Sequence, residues 1–445
     1  MPASLPLADW LDPRHDAART VALDGDMRYT LGELRVATAR LCGWLYHQPQ
    51  HRWAICCDSS YSFLVALLAL LHAGKTPVLP GHSREAQLRE QRQHFDGLLT
   101  DQALKLDDFP AIDPMLVPDA PETSLPAISP QASLVLFTSG STGEPQRVVK
   151  TVAALDTEAV WLARRWGHRL AGCRVLASVS HQHLYGLTFR IVLPMALGLP
   201  LAARRVEFPE QLPLQAQSRA WAFISSPALL GRMDPGLIPA GCRFVLSAAG
   251  PLSDAVACQA RRDFGVAVAE IYGSTETGVV AWRERQQQHE SWHAFPGVTF
   301  DVDNNGLWVN SPLIDGGACQ LSDRLAFRGP QTFDLLGRED RTVKIEEQRV
   351  SLDEIERRLR ALPEIADAAV LVVTRGGRSV TAAVVVLRDE KAWSLGRRQT
   401  WRRELMRWLA PSAVPRYWRQ VPQIPLTSQS KRAWNLIQEL FYEPH

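Results

Sequence analysis

Phe137-Thr138-Ser139-Gly140-Ser141-Thr142-Gly143-Glu144-Pro145 is the stretch on which the fold assignment turns. Before it, Leu134-Val135-Leu136-Phe137 has the apolar, β-prone composition of a buried strand; after it, Leu155 to Trp166 carries apolar residues at helical spacing. The loop is therefore expected between a strand and a helix. Glycines let the main chain bend so that several N–H groups aim at one point. Thr138, Ser139, Ser141 and Thr142 add hydroxyls, and an oligophosphate could engage all of them. The Gly-Lys-Ser/Thr ending of a Walker P-loop is missing, which excludes the usual nucleotide-hydrolase reading. A flexible Ser/Gly linker is the competing interpretation, but linkers rarely follow directly on an apolar strand.

Outward from the loop, helical and strand patterns alternate. Leu31 to Tyr46 is amphipathic, Trp53 to Cys56 is strand-like, Ser62 to His72 is a helix, and Pro77 to Pro80 is a short strand. Ile112 to Pro130 holds many prolines and acids and reads as a surface connector. Alternation resumes through Arg174 to Ala177, Trp221 to Ile224 and Phe244 to Leu246. Short strands with turn residues between about 292 and 336, such as Leu307 to Val309 after Asn304-Asn305-Gly306, suggest a small β unit. Beyond Asp340 the composition shifts: from Arg375 to Arg432 thirteen Lys or Arg face only Asp389, Glu390 and Glu404. A helix (Leu352 to Leu362), strand-like runs (Ala368 to Val373, Val380 to Leu387) and a basic helix (Arg402 to Leu409) make this a separate small α+β domain. The expected fold class is α/β, with a large multi-layer N-terminal domain over 1–340, including a small β-barrel-like unit, and a small C-terminal domain over 341–445.

The 445 residues are enough for more than one domain, and 46% hydrophobic with 22% charged residues is ordinary for a globular enzyme. A net charge of +2 is too small to imply nucleic acid as a general partner, and none is expected. The seven cysteines show no Cys-x-x-Cys spacing, which argues against a disulfide framework or zinc site and for a reducing cytoplasm. No secretory signal pattern is visible at the N-terminus, and the apolar run Phe63 to Leu71 is too short to span a bilayer.

Further blocks follow the loop in order: Ile271-Tyr272-Gly273-Ser274-Thr275-Glu276, Ser322-Asp323, Leu336-Gly337-Arg338-Glu339-Asp340, and Pro425-Leu426-Thr427-Ser428-Gln429-Ser430-Lys431. In this order and at these separations they resemble the acyl-adenylate-forming superfamily, which includes acyl- and aryl-CoA synthetases and the adenylation domains of peptide synthetases. The resemblance runs from about Tyr29 to the C-terminus. It implies that ATP and Mg²⁺ are used to activate a carboxylic acid: the carboxylate attacks the α-phosphorus, pyrophosphate leaves, and a thiol then displaces AMP. Two anions must converge, so a metal, a cation and aimed donors are needed.

By this resemblance Thr138, Ser139, Gly140, Ser141, Thr142 and Gly143 cradle the β- and γ-phosphates, where charge-assisted bonds contribute roughly 1.5–3 kcal/mol each. Relatives usually have lysine after the loop proline; here Gln146 follows Pro145, and Arg147 and Lys150 are the nearby cations that would replace the charge. Tyr272, Gly273 and Ser274 lie beside the adenine, Thr275 reaches the α-phosphate, and Glu276, with the Thr138 hydroxyl, holds Mg²⁺. The alternative is that Ser274-Thr275-Glu276 opens a helix as a cap, a role compatible with ligand binding at the same helix end. Asp323 takes the ribose hydroxyls with help from Arg338, although an Asp–Arg pair is more often a surface ion pair. Ala249 and Gly250 match the small-residue segment beside the adenine, or a tight turn. His183, in His183-Leu184-Tyr185-Gly186, matches the histidine at the acid pocket, against a packed core histidine as the alternative. His181 and His183 have no third ligand nearby in sequence to make a metal site. Lys431 matches the lysine that bridges carboxylate and α-phosphate, with Ser430 where relatives have glycine; alone it is one more basic residue in a basic tail. Asp340 matches the hinge of the small domain. Glu347 stands where the family has a glycine near the thiol tunnel.

The Lys344-Ile345-Glu346-Glu347-Gln348-Arg349-Val350 block and short N-terminal domain resemble compact ligases of aryl polyene and related pigment pathways. Those load an aromatic, hydroxybenzoate-like acid onto an acyl carrier protein. Arg397, Arg398, Arg402, Arg403 and Arg416 suit either an acidic carrier or the phosphates of coenzyme A, or simply a solvated basic surface. The rival readings are a free CoA ligase for an aryl or medium-chain fatty acid, and a non-catalytic adenylate binder.

Overall fold

In the computed structural model the strands Arg174–Ala177 and Trp221–Ser225 are buried at every position, as parallel strands covered on both faces are. The structure describes residues 4–83, 85–104, 106, 110–117, 123–139, 145–216, 220–286, 290–303, 306–338, 341–345, 348–375, 378–389, 393–407, 409, 411, 413–427 and 431–442. They divide into two compact units, Met1–Asp301 with Trp308–Cys319 and Val302–Leu307 with Gln320–His445.

Two large sheets lie in the first unit. One runs in the order Ala111–Ile112, Gly97–Leu99, Arg52–Ile55, Thr76–Leu79, Ser133–Ser139, Pro145–Thr151, parallel except for the last pair. In the other, Val268–Ser274, Cys242–Ser247, Trp221–Ser225, Arg174–Ala177, Leu201–Ala202 and Thr20–Asp24 lie side by side and parallel. Gly278–Glu284 then Trp292–Ala294 extend one edge and Met27–Thr30 the other, all antiparallel. Helices Leu31–Tyr46 and Ser60–His72 join side chains of both sheets into one core. The first is opened by a capping box, with the Thr30 hydroxyl accepting from the Glu33 N–H and the Glu33 carboxylate accepting from the Thr30 N–H. The second is buried along its whole length, and the Ser59 hydroxyl accepts from the Tyr61 and Ser62 N–H groups at its start.

One expectation is corrected here. The chain does not pass from the hydroxyl-rich loop into a helix: Pro145–Thr151 first returns antiparallel along Ser133–Ser139, and helix Val152–Leu170 begins only after it, capped by Thr151. The β-branched Val148 and Val149 pair across to Leu136 and Val135, a sheet environment that favours them. The loop therefore joins two antiparallel strands, and the helix begins only at Val152.

In the second unit, Asp323–Gly329 and Thr332–Arg338 form a hairpin. Strands Ile365–Arg375, Arg378–Leu387 and Tyr417–Gln420 form a three-stranded sheet. Alternate residues of the first strand face opposite ways: Ala368 and Val370 join helices Leu352–Arg360 and Leu395–Leu405, whereas Ala369, Leu371 and Val373 join Ile437 and Phe441. The basic helix begins at Leu395 rather than near Arg402, because the Ser394 hydroxyl caps it by accepting from the Arg397 N–H. Among the described residues no helix is long and apolar enough to cross a membrane, and no disulfide joins the seven cysteines.

Candidate functional site

In a parallel sheet, side chains that leave the carboxyl ends of the strands collect along one edge. In the first unit that edge is followed by Ser178 to His183 after Arg174–Ala177, by Ala248 to Gly250 after Cys242–Ser247, and by the Tyr272–Glu276 block at the end of Val268–Ser274. Three of the sequence-flagged segments thus sit on one sheet.

Tyr272–Glu276 is not the start of a helix. Val268–Ser274 turns back into Gly278–Glu284 as an antiparallel hairpin, which excludes the cap interpretation. The turn is closed reciprocally: the Ser274 N–H donates to Thr277 Oγ1 at 2.9 Å, and the Thr277 N–H donates to Ser274 Oγ at 3.2 Å. A Cβ on Gly273 would lie 2.1 Å from the Gly278 carbonyl oxygen, so only glycine fits there. Gly278 itself has φ +69°. The Tyr272 and Trp292 rings lie 5.8 Å apart, tilted.

Lys150 connects this turn to the phosphate-loop hairpin. The residue is 3% exposed, and its ammonium donates to the Glu276 carbonyl at 2.7 Å and to the Leu313 carbonyl at 2.8 Å. It therefore does not supply the missing loop cation; of the two candidates only Arg147 is exposed. Burial pushes the Lys150 pKa down, offset by the Glu158 and Glu276 charges. Glu158 sits on the apolar stripe of Val152–Leu170 with Leu155 and Leu162, 3% exposed. Its Oε1 accepts from the Val279 N–H at 2.8 Å and its Oε2 from the Thr188 hydroxyl at 2.6 Å. Burial raises its pKa, opposed by these bonds and by Lys150.

His183 is half-buried, unlike its neighbour His181. Gly81, at φ +85°, leaves room for it: a Cβ there would meet His183 Cε1 at 3.1 Å and the Phe137 carbonyl at 3.5 Å. The histidine, Gly81 and the strand leading to the phosphate loop therefore converge. Gly186 explains the spacing of the motif, since a Cβ would fall 2.0 Å from the Ser180 carbonyl oxygen. His181 is the packed histidine, with Nε2 2.7 Å from the Cys57 carbonyl oxygen and Nδ1 3.3 Å from the Ser60 hydroxyl. Burial holds its pKa well below the usual imidazole value. Tyr185 donates to the Ser225 carbonyl at 2.8 Å. Ala249 has φ +70°, the one left-handed non-glycine among the described residues, and is exposed with Gly250. Such backbone strain costs on the order of 1–3 kcal/mol and collects at functional turns.

In the second unit Asp323 and Arg338 stand directly opposite each other across the hairpin. Lys431 is exposed, with its N–H on Thr427 Oγ1 at 3.3 Å and its carbonyl accepting from the Thr427 N–H at 2.6 Å. Its neighbour Arg432 is clamped: Nη1 meets Glu356 at 2.6 Å, and Nη2 donates to the Ala368 carbonyl at 2.6 Å. Glu356 also holds Arg341, which donates to Asp353 at 2.6 Å and stacks 4.3 Å over the Trp434 ring.

Gly140, Ser141, Thr142, Gly143, Asp340, Glu347 and Ser430 lie outside the described residues, as do the side chains of Thr138, Ser139 and Arg338. No group of three or more His, Cys, Asp or Glu among the described residues is arranged to hold a metal, including His181 with His183. A lone carboxylate such as Glu276 fits Mg²⁺ that is carried chiefly by substrate phosphates, since Mg²⁺ keeps its waters and takes one or two protein ligands.

Residues 82–307 match the AMP-binding enzyme family. The chain is 29% identical over 323 residues to a 4-coumarate–CoA ligase of Rhodobacter capsulatus, covering 70% of this chain and 78% of that one. It is 26% identical over 428 residues to apicidin F synthase of Gibberella fujikuroi, covering 79% of this chain and 8% of that one. Among solved structures, it resembles a benzoate CoA ligase from Burkholderia xenovorans (TM-score 0.80, 21% identity, 98% of this chain and 100% of that one). It also resembles o-succinylbenzoate CoA synthetase from Bacillus subtilis in complex with AMP (TM-score 0.80, 19% identity, 98% of each). At these identities the structural likeness establishes the fold.

Proposed function

Because the chain belongs to the AMP-binding enzyme family, we propose that it is an AMP-forming acid–thiol ligase that activates an aromatic carboxylic acid as its acyl-adenylate and passes the acyl group to a phosphopantetheine thiol. The observation that carries this reading is the Lys150 bridge, which fixes the Glu276 turn to the strand rising from the hydroxyl-rich loop. A triphosphate cradled by Thr138 to Gly143 would then present its α-phosphate to Thr275. Mg²⁺, held by Glu276 and the Thr138 hydroxyl, would supply electrostatic relief to the leaving pyrophosphate. Ala249, Gly250 and Tyr272 to Ser274 flank the base, Asp323 with Arg338 takes the ribose, and His183 lines the acid's approach. Lys431 neutralises charge that exists only as carboxylate and phosphate converge, so its contribution falls on kcat. The functional division is at Asp340, with 1–340 binding ATP and acid and 341–445 delivering Lys431.

The thiol has two sources. Coenzyme A is the acceptor named for the coumarate and benzoate ligases. The basic helix Leu395–Leu405, with Arg397 and Arg403 exposed, suits the acidic surface of an acyl carrier protein. Acid-dependent ATP–pyrophosphate exchange over a panel of aromatic and aliphatic acids tests the activation step; exchange is expected with an aromatic acid, and none with any acid would leave a nucleotide binder. Loading of holo carrier, apo carrier and coenzyme A then identifies the acceptor, and labelling of apo carrier would contradict thioester formation.

A further inference from the structure

Lys150 and Glu158 are buried charges on neighbouring elements, the strand Pro145–Thr151 and the helix Val152–Leu170. Both line one gap, with Ala154, Leu155, Leu184, Gly278 and Leu313, too tight to admit a water molecule. Burying a charge costs several kcal/mol, so two of them in a dry gap need a reason. Their contacts supply one. Lys150 spends two of its three donors on the backbone carbonyls of Glu276 and Leu313. Glu158 grips the next residues of the same hairpin through the Val279 N–H, and reaches the helix after His183 through Thr188. Thr188 lies in Leu187–Val192, a π-helical stretch, a departure from α-geometry frequent at functional sites. Gly278 has φ +69°, and its missing Cβ would come within 2.9 Å of Glu158 Oε1 and 3.0 Å of Leu313 Cδ1. The turn is therefore pinned at the Glu276 carbonyl and again at Val279.

We infer that Lys150 is a positioning residue for adenylation: with Glu158 as counter-charge, it fixes the Glu276 carbonyl and so sets where the Thr275 hydroxyl and Glu276 carboxylate meet the nucleotide phosphates and their metal. A cation in this strand acts from beneath the site instead of touching phosphate. This role rests on the adenylating reading above.

The test uses Lys150→Met and Glu158→Gln in the full chain. The amide of Glu158→Gln keeps an oxygen for the Val279 N–H and a polar partner for Thr188 while removing the charge. Mn²⁺ binding in the presence of ATP, read by electron paramagnetic resonance, should weaken roughly 10–100-fold in Lys150→Met, the scale on which residues behind a metal ligand act. Acid-dependent pyrophosphate exchange should lose about 100-fold in kcat, as a displacement of about 1 Å would cause, with the KM for the acid unchanged. Glu158→Gln should shift both readouts the same way. A lower unfolding midpoint with Mn²⁺ affinity and kcat per folded molecule unchanged would overturn the positioning role and leave a structural strut. If Lys150→Met does not fold, Glu158→Gln decides by the same readouts. No exchange in the unmodified protein would overturn the adenylating reading and this role with it, a result distinct from active protein with silent variants.

Discussion

At the residue scale, charge and its surroundings decide what each group does. Lys431 is exposed beside Thr427, where incoming anions can reach a cation. Lys431→Ala should slow adenylate formation by about 2.7–4 kcal/mol of barrier, the typical loss of one transition-state donor. Transfer from preformed adenylate should be largely spared. Single-turnover measurement of the two half-reactions checks this, and equal losses in both would contradict the assigned role. Lys150 shows the limit of reading residues one at a time. Its proximity to the loop suggested a phosphate contact, but which way a strand residue points follows from the register with Ser133–Ser139, and Lys150 is buried. Glu158 did leave a trace, a carboxylate at i+3 from Leu155 on an otherwise apolar stripe. Gly81 left none, since its role depends on a ring more than a hundred positions away in sequence.

At the element scale, the helix Ser60–His72 is held at its start by His181 and at its end by the His72 ring, whose Nδ1 lies 2.6 Å from the Pro126 carbonyl oxygen. Burial lowers the pKa of both histidines. The unfolded chain therefore binds protons from about pH 6.5 downward while the folded chain does not. Stability should be full above that pH and fall as the pH drops below it, by about 1.4 kcal/mol per unit of lowered pKa. Urea unfolding at pH 7.5 and 5.5 measures the drop, and His181→Gln should shrink it. In the second unit, Glu356 serves Arg341, Arg432 and the Val370 N–H at once and is 4% exposed. Removing one partner of a buried pair strands the others, so Glu356→Ala should cost about 3–5 kcal/mol in chemical denaturation. Two kinds of pattern were readable from sequence: the amphipathic period of the helix Leu31–Tyr46 and the short apolar run of the strand Arg174–Ala177 are where the structure has those elements. The hairpin behind the phosphate loop was not, because a seven-residue strand carrying Arg147 and Lys150 around two valines has no period to distinguish it from a helix entrance.

At the scale of the whole molecule, the α/β layering and the order of motifs were legible because they depend on many residues at once. Acid and acceptor specificity were not, because pocket residues share the apolar patterns of the core. The proposed hinge gives a prediction at this level. Proline fixes φ near −65°, so Asp340→Pro should impair one half-reaction far more than the other, as separate assays of adenylation and thioester formation would show; equal loss in both would argue against a hinge there. Glu356 adds a mechanical condition. The residue just past that position and the residue beside Lys431 are moored to one carboxylate. A twist at the proposed hinge would then carry Lys431 with it, like a crank cast in one piece with its shaft. The molecule would keep a single clock, unable to admit a thiol while still poised to make the anhydride.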